Sequence, residues 1–213
     1  MIEKIKRYTL GEEIFSSVTH GVGTLLAIAA TVLVIVFAAL ASNARGVVGG
    51  SIYGFTMIVL YTMSTLYHSL TAKKAKRVFR IFDHCSIFLL IAGTYTPYCL
   101  CTLWGHGGLG ILIAIWSCAI LGIVLNAINL EKFKNLSLVF YVVMGLAILF
   151  KIKDLAQLIH PVGLMFMCVA GAVYILGIIF YKWKVRYMHS IWHLFVLGGS
   201  ICFFFSILFY VVR

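Results

Sequence analysis

Five residues carry the chemistry this chain has to offer: Ser64, His68, Asp83, His189 and His193. His189 and His193 stand four positions apart, a spacing that sets two imidazoles on one side of a helix. Ser64 stands in the same relation to His68. Three neutral imidazoles with a fourth position left to water make the donor set of a catalytic Zn2+ site. Bound zinc can lower the pKa of that water to about 7. Asp83 can orient or deprotonate the water, or hold a ligand imidazole from behind. Ser64 can hydrogen-bond the water or a substrate oxygen. Each residue also has a plainer reading. Ser64 can bond back to the carbonyl of residue 60, Asp83 can be a helix-start charge favoured by the macrodipole, and an intramembrane histidine can be a paired core side chain.

What must position these residues is a membrane bundle. Of the 213 residues, 63% are hydrophobic and 11% charged, and the mean hydropathy is +1.08. Soluble domains are about a quarter charged, so a soluble enzyme, a disordered chain and a fibrous repeat are excluded. Two prolines and long unbroken apolar runs argue against a β-barrel, whose strands alternate apolar and polar. A spanning helix takes about 20 apolar residues. The charged residues partition the chain into seven such stretches, roughly 18–41, 47–71, 81–103, 109–128, 135–152, 157–180 and 188–211. The fifth is short and spans if Lys134, Lys151 and Lys153 snorkel. The expectation is an all-α integral membrane protein, a seven-transmembrane helix bundle forming one domain over 1–213.

The net charge of +11 fixes orientation rather than a nucleic-acid partner. Every Lys and Arg except Arg45, Lys151, Lys153 and Arg213 falls before the first span or in the loops at 72–80, 129–135 and 181–187. The positive-inside rule then puts the N-terminus in the cytoplasm and the C-terminus outside. Residues 1–15 read as a short interfacial segment on the inner surface. On this topology His68, Asp83, His189 and His193 come from three helices and meet at one depth, a turn or two in from the inner surface, with Ser64 beside them. Ionisable groups at that depth are functional candidates.

The other polar signals weigh less. His20 sits near the inner end of the first span, seven residues after Glu13 and on its face, where it can line the same cavity. His84 neighbours Asp83 but points away around the helix. His106 and His160 fall on the outer side. Thr94-Tyr95-Thr96-Pro97 reads as a proline kink with threonine hydroxyls meeting freed carbonyls. Gly49-Gly50 and Gly198-Gly199 read as close helix contacts. The six cysteines form no CxxC pair and read as buried free thiols.

Taken in order, Gly11-Glu12-Glu13-Ile14, Thr19-His20-Gly21, Ser64-x3-His68, Asp83-His84, Ala92-Gly93-Thr94-Tyr95-Thr96-Pro97 and His189-x3-His193-Leu194 resemble the bacterial hemolysin III proteins, part of the progestin and adipoQ receptor family. The resemblance covers nearly the whole chain. It implies a seven-helix bundle with a cytoplasmic N-terminus, and a zinc on His68, His189 and His193 with Asp83 and Ser64 around the water. The family belongs to a wider group of membrane hydrolases similar to alkaline ceramidases, and its bacterial members are tied to haemolysis and to membrane-lipid homeostasis. Ser17-Val18 stands where members often carry Asn before the Thr-His pair. The resemblance to the eukaryotic receptors does not extend to their long N-terminal cytoplasmic domain, so signalling through such a domain is not expected.

Three functions follow as expectations. The first is an intramembrane zinc hydrolase of lipid amides or esters in a bacterial cell membrane, with membrane lipids as its partners. The second is a membrane sensor or regulator in which zinc is a structural clamp. The third is a pore-forming cytolysin, for which no helix offers a continuous polar stripe.

Overall fold

The computed structural model describes residues 8–213, and all regular structure among them is helical. Among the described residues seven α-helices follow in chain order: α1 (Leu10–Leu40), α2 (Ala44–Ser69), α3 (Lys73–Pro97), α4 (Gly108–Leu146), α5 (Ile152–Leu158), α6 (Pro161–Lys182) and α7 (Met188–Tyr210). Among the described residues six helical stretches are long and apolar enough to cross a membrane. The molecule is apolar on the outside as well as within. Leu25, Val32, Phe55, Ile113, Ile120 and Phe150 all point outward and exposed, as hydrocarbon requires and water does not.

The chain starts α1 with a capping box. The Thr9 hydroxyl accepts from the backbone N–H of Glu12, and the Glu12 carboxylate accepts from the N–H of Thr9. Of the proposed interfacial segment, residues 1–7 lie outside the described residues, and from Leu10 onward the chain is already α1.

α3 begins at Lys73, earlier than hydropathy suggests. The basic run taken for a loop is its first two turns. The helix continues through these charges because they find partners, Lys76 on Glu13 at 2.8 Å and Arg80 on Glu131. Asp83 therefore sits in the middle of a helix, buried, and not at its start. The macrodipole reading of Asp83 falls with that. At the other end Pro97 does not kink α3 midway. It closes the helix, and a single π-helical turn follows over Tyr98–Thr102. Thr94 and Thr96 donate to the carbonyls of Leu90 and Ala92.

α4 is not one rod. Asn129 has extended backbone angles (φ −161°, ψ 93°) inside it. Ser137 lies 2.6 Å from Asn126, whereas residues that far apart in a straight helix are separated by about 16 Å. The helix folds back on itself. Its first arm runs antiparallel to α3, with Cys85 reaching the Ile123 carbonyl and Trp116 donating to Thr96. The second arm runs parallel to α3, with Tyr141 on the His84 carbonyl and Tyr95 on the Met144 carbonyl.

Loops collect at two ends. At one, Asn43 donates to the Val212 carbonyl and Arg45 stacks on Trp104 at 3.9 Å. At the other lie the Glu12, Glu13, Arg80–Glu131 and Ser17–Ser69 contacts. The neighbour order is α6–α7–α1–α2–α3–α4. The ring does not close, because α4 and α6 face each other across a cavity instead of packing together. The glycine pairs do admit close neighbours: a Cβ on Gly49 would sit 2.9 Å from the Pro97 Cα, and one on Gly199 would enter the Tyr174 ring. Of the six free cysteines only Cys85 and Cys99 are buried, so the expectation for the other four fails; Cys118 and Cys168 face outward.

Candidate metal centre

α1 organises the site by sending two adjacent carboxylates in two directions. Neighbouring helix residues diverge by about 100°, so Glu12 turns to α7 and Glu13 to α2. Glu12 accepts from the N–H of Tyr187 at 3.0 Å, which anchors the start of α7. One turn further, the Ser16 and Ser190 hydroxyls meet at 2.9 Å, and Ser190 also reaches the Glu12 carbonyl. Glu13 lies 2.7 Å from His68 Nδ1 and 2.8 Å from Lys76 Nζ. A carboxylate on Nδ1 fixes the N–H there and leaves the Nε2 lone pair free, the arrangement that orients histidine ligands in metal sites.

His68, His189 and His193 then converge. One ring nitrogen from each falls within 4.8 Å of the other two. His68 and His193 are buried. His68 Nε2 has no hydrogen-bond partner. His189 Nε2 and His193 Nε2 lie 3.3 Å apart. Two nitrogens on one tetrahedral ion, with bonds of about 2.0–2.1 Å, are separated by about 3.3 Å. The histidine pair already has that spacing, and with His68 beside it the three imidazoles make the donor set of a tetrahedral cation with one place open. Three imidazoles favour zinc over magnesium or calcium, which take oxygen ligands.

Asp83 faces His68 and Ser64 from α3, its carboxyl buried. The Ser64 hydroxyl is also buried and closes no hydrogen bond; Asp83 is the acceptor it lies toward. Its back-bond to residue 60 is not formed. Thus all five residues singled out in the sequence are brought to one end of the bundle.

Two parts of the site escape sequence reasoning. One is Glu13 holding His68, although a carboxylate inside an apolar helix is a visible signal. The other is Tyr8, for which no signal stands out. Its ring stacks on His189 with centroids 4.8 Å apart and planes at 17°, and burial pushes its phenol well above the ordinary value. It covers the cluster from the end where the chain begins. His160 caps α6 and stacks on Tyr210, far from the cluster.

Beside the cluster opens a cavity of about 180 Å³. Asp83 and His20 line it, with Trp192, the second arm of α4 and the facing side of α6. A second cavity of about 330 Å³ shares Thr94, Tyr95, Gly145, Gly171 and Phe203 with the first. Both cavities are almost wholly apolar, and their shared walls run from near Asp83 along the gap between α4 and α6.

Comparison with known proteins places the chain in a family. The model of the family described as "Haemolysin-III related" matches residues 8–204. The chain is 44% identical over 207 residues to "Hemolysin-3 homolog" of Bacillus subtilis (strain 168), covering 97% of each chain. It is 42% identical over 215 residues to "Hemolysin-3" of Bacillus cereus, covering 100% of this chain and 98% of that one. It is 28% identical over 169 residues to the human "Monocyte to macrophage differentiation factor", covering 76% of this chain and 70% of that protein. No solved structure matches. The chain belongs to the haemolysin-III-related family.

Proposed function

We propose that this haemolysin-III-family chain is a seven-span membrane protein with a cytoplasmic N-terminus and an extracellular C-terminus, and that it hydrolyses lipid amides or esters with a zinc ion held by His68, His189 and His193. The observation that carries the reading is the junction of two features. The three-histidine cluster lies beside a buried carboxylate, Asp83, and Asp83 lines an apolar cavity that opens between α4 and α6. Both arms of α4 count as spans here, which makes seven; the positive loops at the Glu13 end set the orientation.

When bound, zinc supplies a Lewis acid and makes water a nucleophile at neutral pH. The chain's own residues do the rest. Glu13 holds the proton of His68 at Nδ1 and keeps Nε2 turned inward. Asp83 accepts the proton of the attacking water at a carboxylate oxygen and returns it to the leaving amine or alcohol. Ser64 Oγ donates to Asp83 or to the substrate carbonyl. The apolar cavities take the acyl chain, and Tyr8 limits water from the cytoplasmic side.

The test is metal content and lipid turnover of purified protein, wild type beside the His189→Ala, His193→Ala double variant. Wild type is expected to hold about one zinc per chain and to cleave an acylated amide or ester. The double variant loses both. Stoichiometric zinc in the double variant contradicts the ligand assignment; zinc without turnover across a broad lipid panel contradicts the hydrolase.

One observation favours a second reading, a sensor or regulator with structural zinc. The cluster joins α2 to α7 at the end where α1 already ties both, as a clamp would. A membrane phenotype that survives Asp83→Asn but not zinc loss selects this reading. The pore reading has no such support: the outward faces are apolar, and haemolysis is in the name of the Bacillus relatives.

A further inference from the structure

His20 has no role in the centre as described, yet it is the most conspicuous buried polar group in the bundle. It is 2% exposed, and neither ring nitrogen has a hydrogen-bond partner. A neutral imidazole has one donor and one acceptor, and such groups, when buried, are nearly always paired. His68 Nε2, also unpartnered, is accounted for by the metal; Ser64 has Asp83 beside it. His20 has neither.

Nor can it serve as another ligand to the same ion. Its ring stacks on His193, with centroids 3.9 Å apart and planes 29° from parallel. Lone pairs lie in the ring plane, so two stacked imidazoles aim them side by side and do not converge on one ion. The ring cannot swing away to find partners. Tyr61 meets it edge-on at 5.0 Å and 86°, and Gly23, one turn on, leaves room for that tyrosine: a Cβ there would lie 2.7 Å from its ring. His20 is packed between these two rings with neither nitrogen closing a hydrogen bond, and it lines the cavity that Asp83 also lines.

The cavity says what kind of molecule would satisfy it. Among the described residues lining it there is no lysine or arginine, and the charged group is the carboxylate of Asp83. An anionic head such as a phosphate would meet the Asp83 carboxylate and no lysine or arginine of the lining. A neutral head that both donates and accepts hydrogen bonds, on an aliphatic chain, fits the wall and the ring.

We propose that His20 is the polar recognition point of the cavity: its ring hydrogen-bonds the neutral amide or hydroxyl head of a bound lipid and so sets that head beside Asp83. The inference rests on the lipid-binding part of the function proposed above and deepens it. It does not depend on turnover.

The test is equilibrium binding of radiolabelled oleamide to zinc-loaded protein in nanodiscs, with radiolabelled octadecane as the head-free control and empty nanodiscs as background. Wild type is expected to prefer oleamide. His20→Phe, which keeps a stacking ring without polar atoms, is expected to lose about fivefold to tenfold in oleamide affinity while octadecane binding and zinc content stay unchanged. His20→Gln, which keeps a donor and an acceptor, recovers part of the loss. Should His20→Phe not fold, the histidine ring ¹⁵N signals of wild type provide the readout. One ring shifts on oleamide and not on octadecane, and that signal is missing in His20→Gln.

Equal oleamide affinity in wild type and His20→Phe overturns the proposal, as does zinc loss in His20→Phe or the lack of any ring shift. Wild type that fails to discriminate oleamide from octadecane also overturns it, leaving buried water as the partner of the ring. If wild type binds neither probe, the cavity is no lipid chamber and the broader reading falls with it. If His20→Phe loses oleamide but no lipid is ever cleaved, the hydrolase falls and the role of His20 stands.

Discussion

The two halves of the bundle differ in how completely their buried polar groups are paired. Toward the end where α7 finishes, the buried hydroxyls are matched. Tyr61 donates to Ser200 at 2.7 Å, Tyr174 meets the same hydroxyl at 2.8 Å, and Tyr53 reaches the Ser200 carbonyl. Tyr98 donates to Ser206, which in turn donates to the Gly163 carbonyl. At the end where α1 begins, His20, Ser64, His68 and His193 all keep a buried polar atom without a partner. The first arrangement is adhesive, since paired hydroxyls join α2, α6 and α7 where hydrocarbon offers no competing partner. On the function proposed above, the second holds groups in reserve for a metal and a lipid. Asn126, with one matched and one unmatched atom, is the exception outside the cluster.

That contrast can be broken by experiment. The largest effect belongs to the reserved end. His193→Ala, with His189→Ala, should reduce bound zinc from about one per chain to near none by metal analysis, with the helical signal in circular dichroism retained. Asp83→Asn should leave zinc in place and lower turnover by on the order of 10²- to 10⁴-fold, the usual worth of a positioned acid or base; a loss of zinc instead would make Asp83 a ligand. Glu13→Gln should weaken zinc binding by about 10- to 100-fold in chelator competition, because the carboxylate that fixes His68 is gone. The smallest effect belongs to the adhesive end. Ser200→Ala should leave zinc untouched and lower stability by about 1–3 kcal/mol, since the Tyr61 and Tyr174 hydroxyls lose their shared partner. A zinc effect from Ser200→Ala would erase the distinction between the halves.

How much of this is written in the sequence follows the same division. The partition into apolar runs and the placing of His68, Asp83, His189 and His193 at one depth need only hydropathy and helical spacing. The reversal inside α4 is also legible, because Glu131, Lys132 and Lys134 interrupt the apolar run there. The extent of α3 is not. Lys73, Lys74, Lys76, Arg77 and Arg80 read as a loop until Glu13 and Glu131, distant in sequence, are seen to pair with two of them. For the same reason periodicity shows Glu13 only as a neighbour of His20. Its bond to His68 crosses 55 positions, and no local pattern announces a contact of that range. The stacking of Tyr8 on His189 is hidden likewise.

On the function proposed above, the open seam between α4 and α6 would decide how this molecule is fed. A stave left out of the barrel would face hydrocarbon, so a lipid guest would arrive sideways from the leaflet. Occupancy then follows the mole fraction of that guest among its neighbouring lipids, and dilution of the surrounding buffer would leave it unchanged.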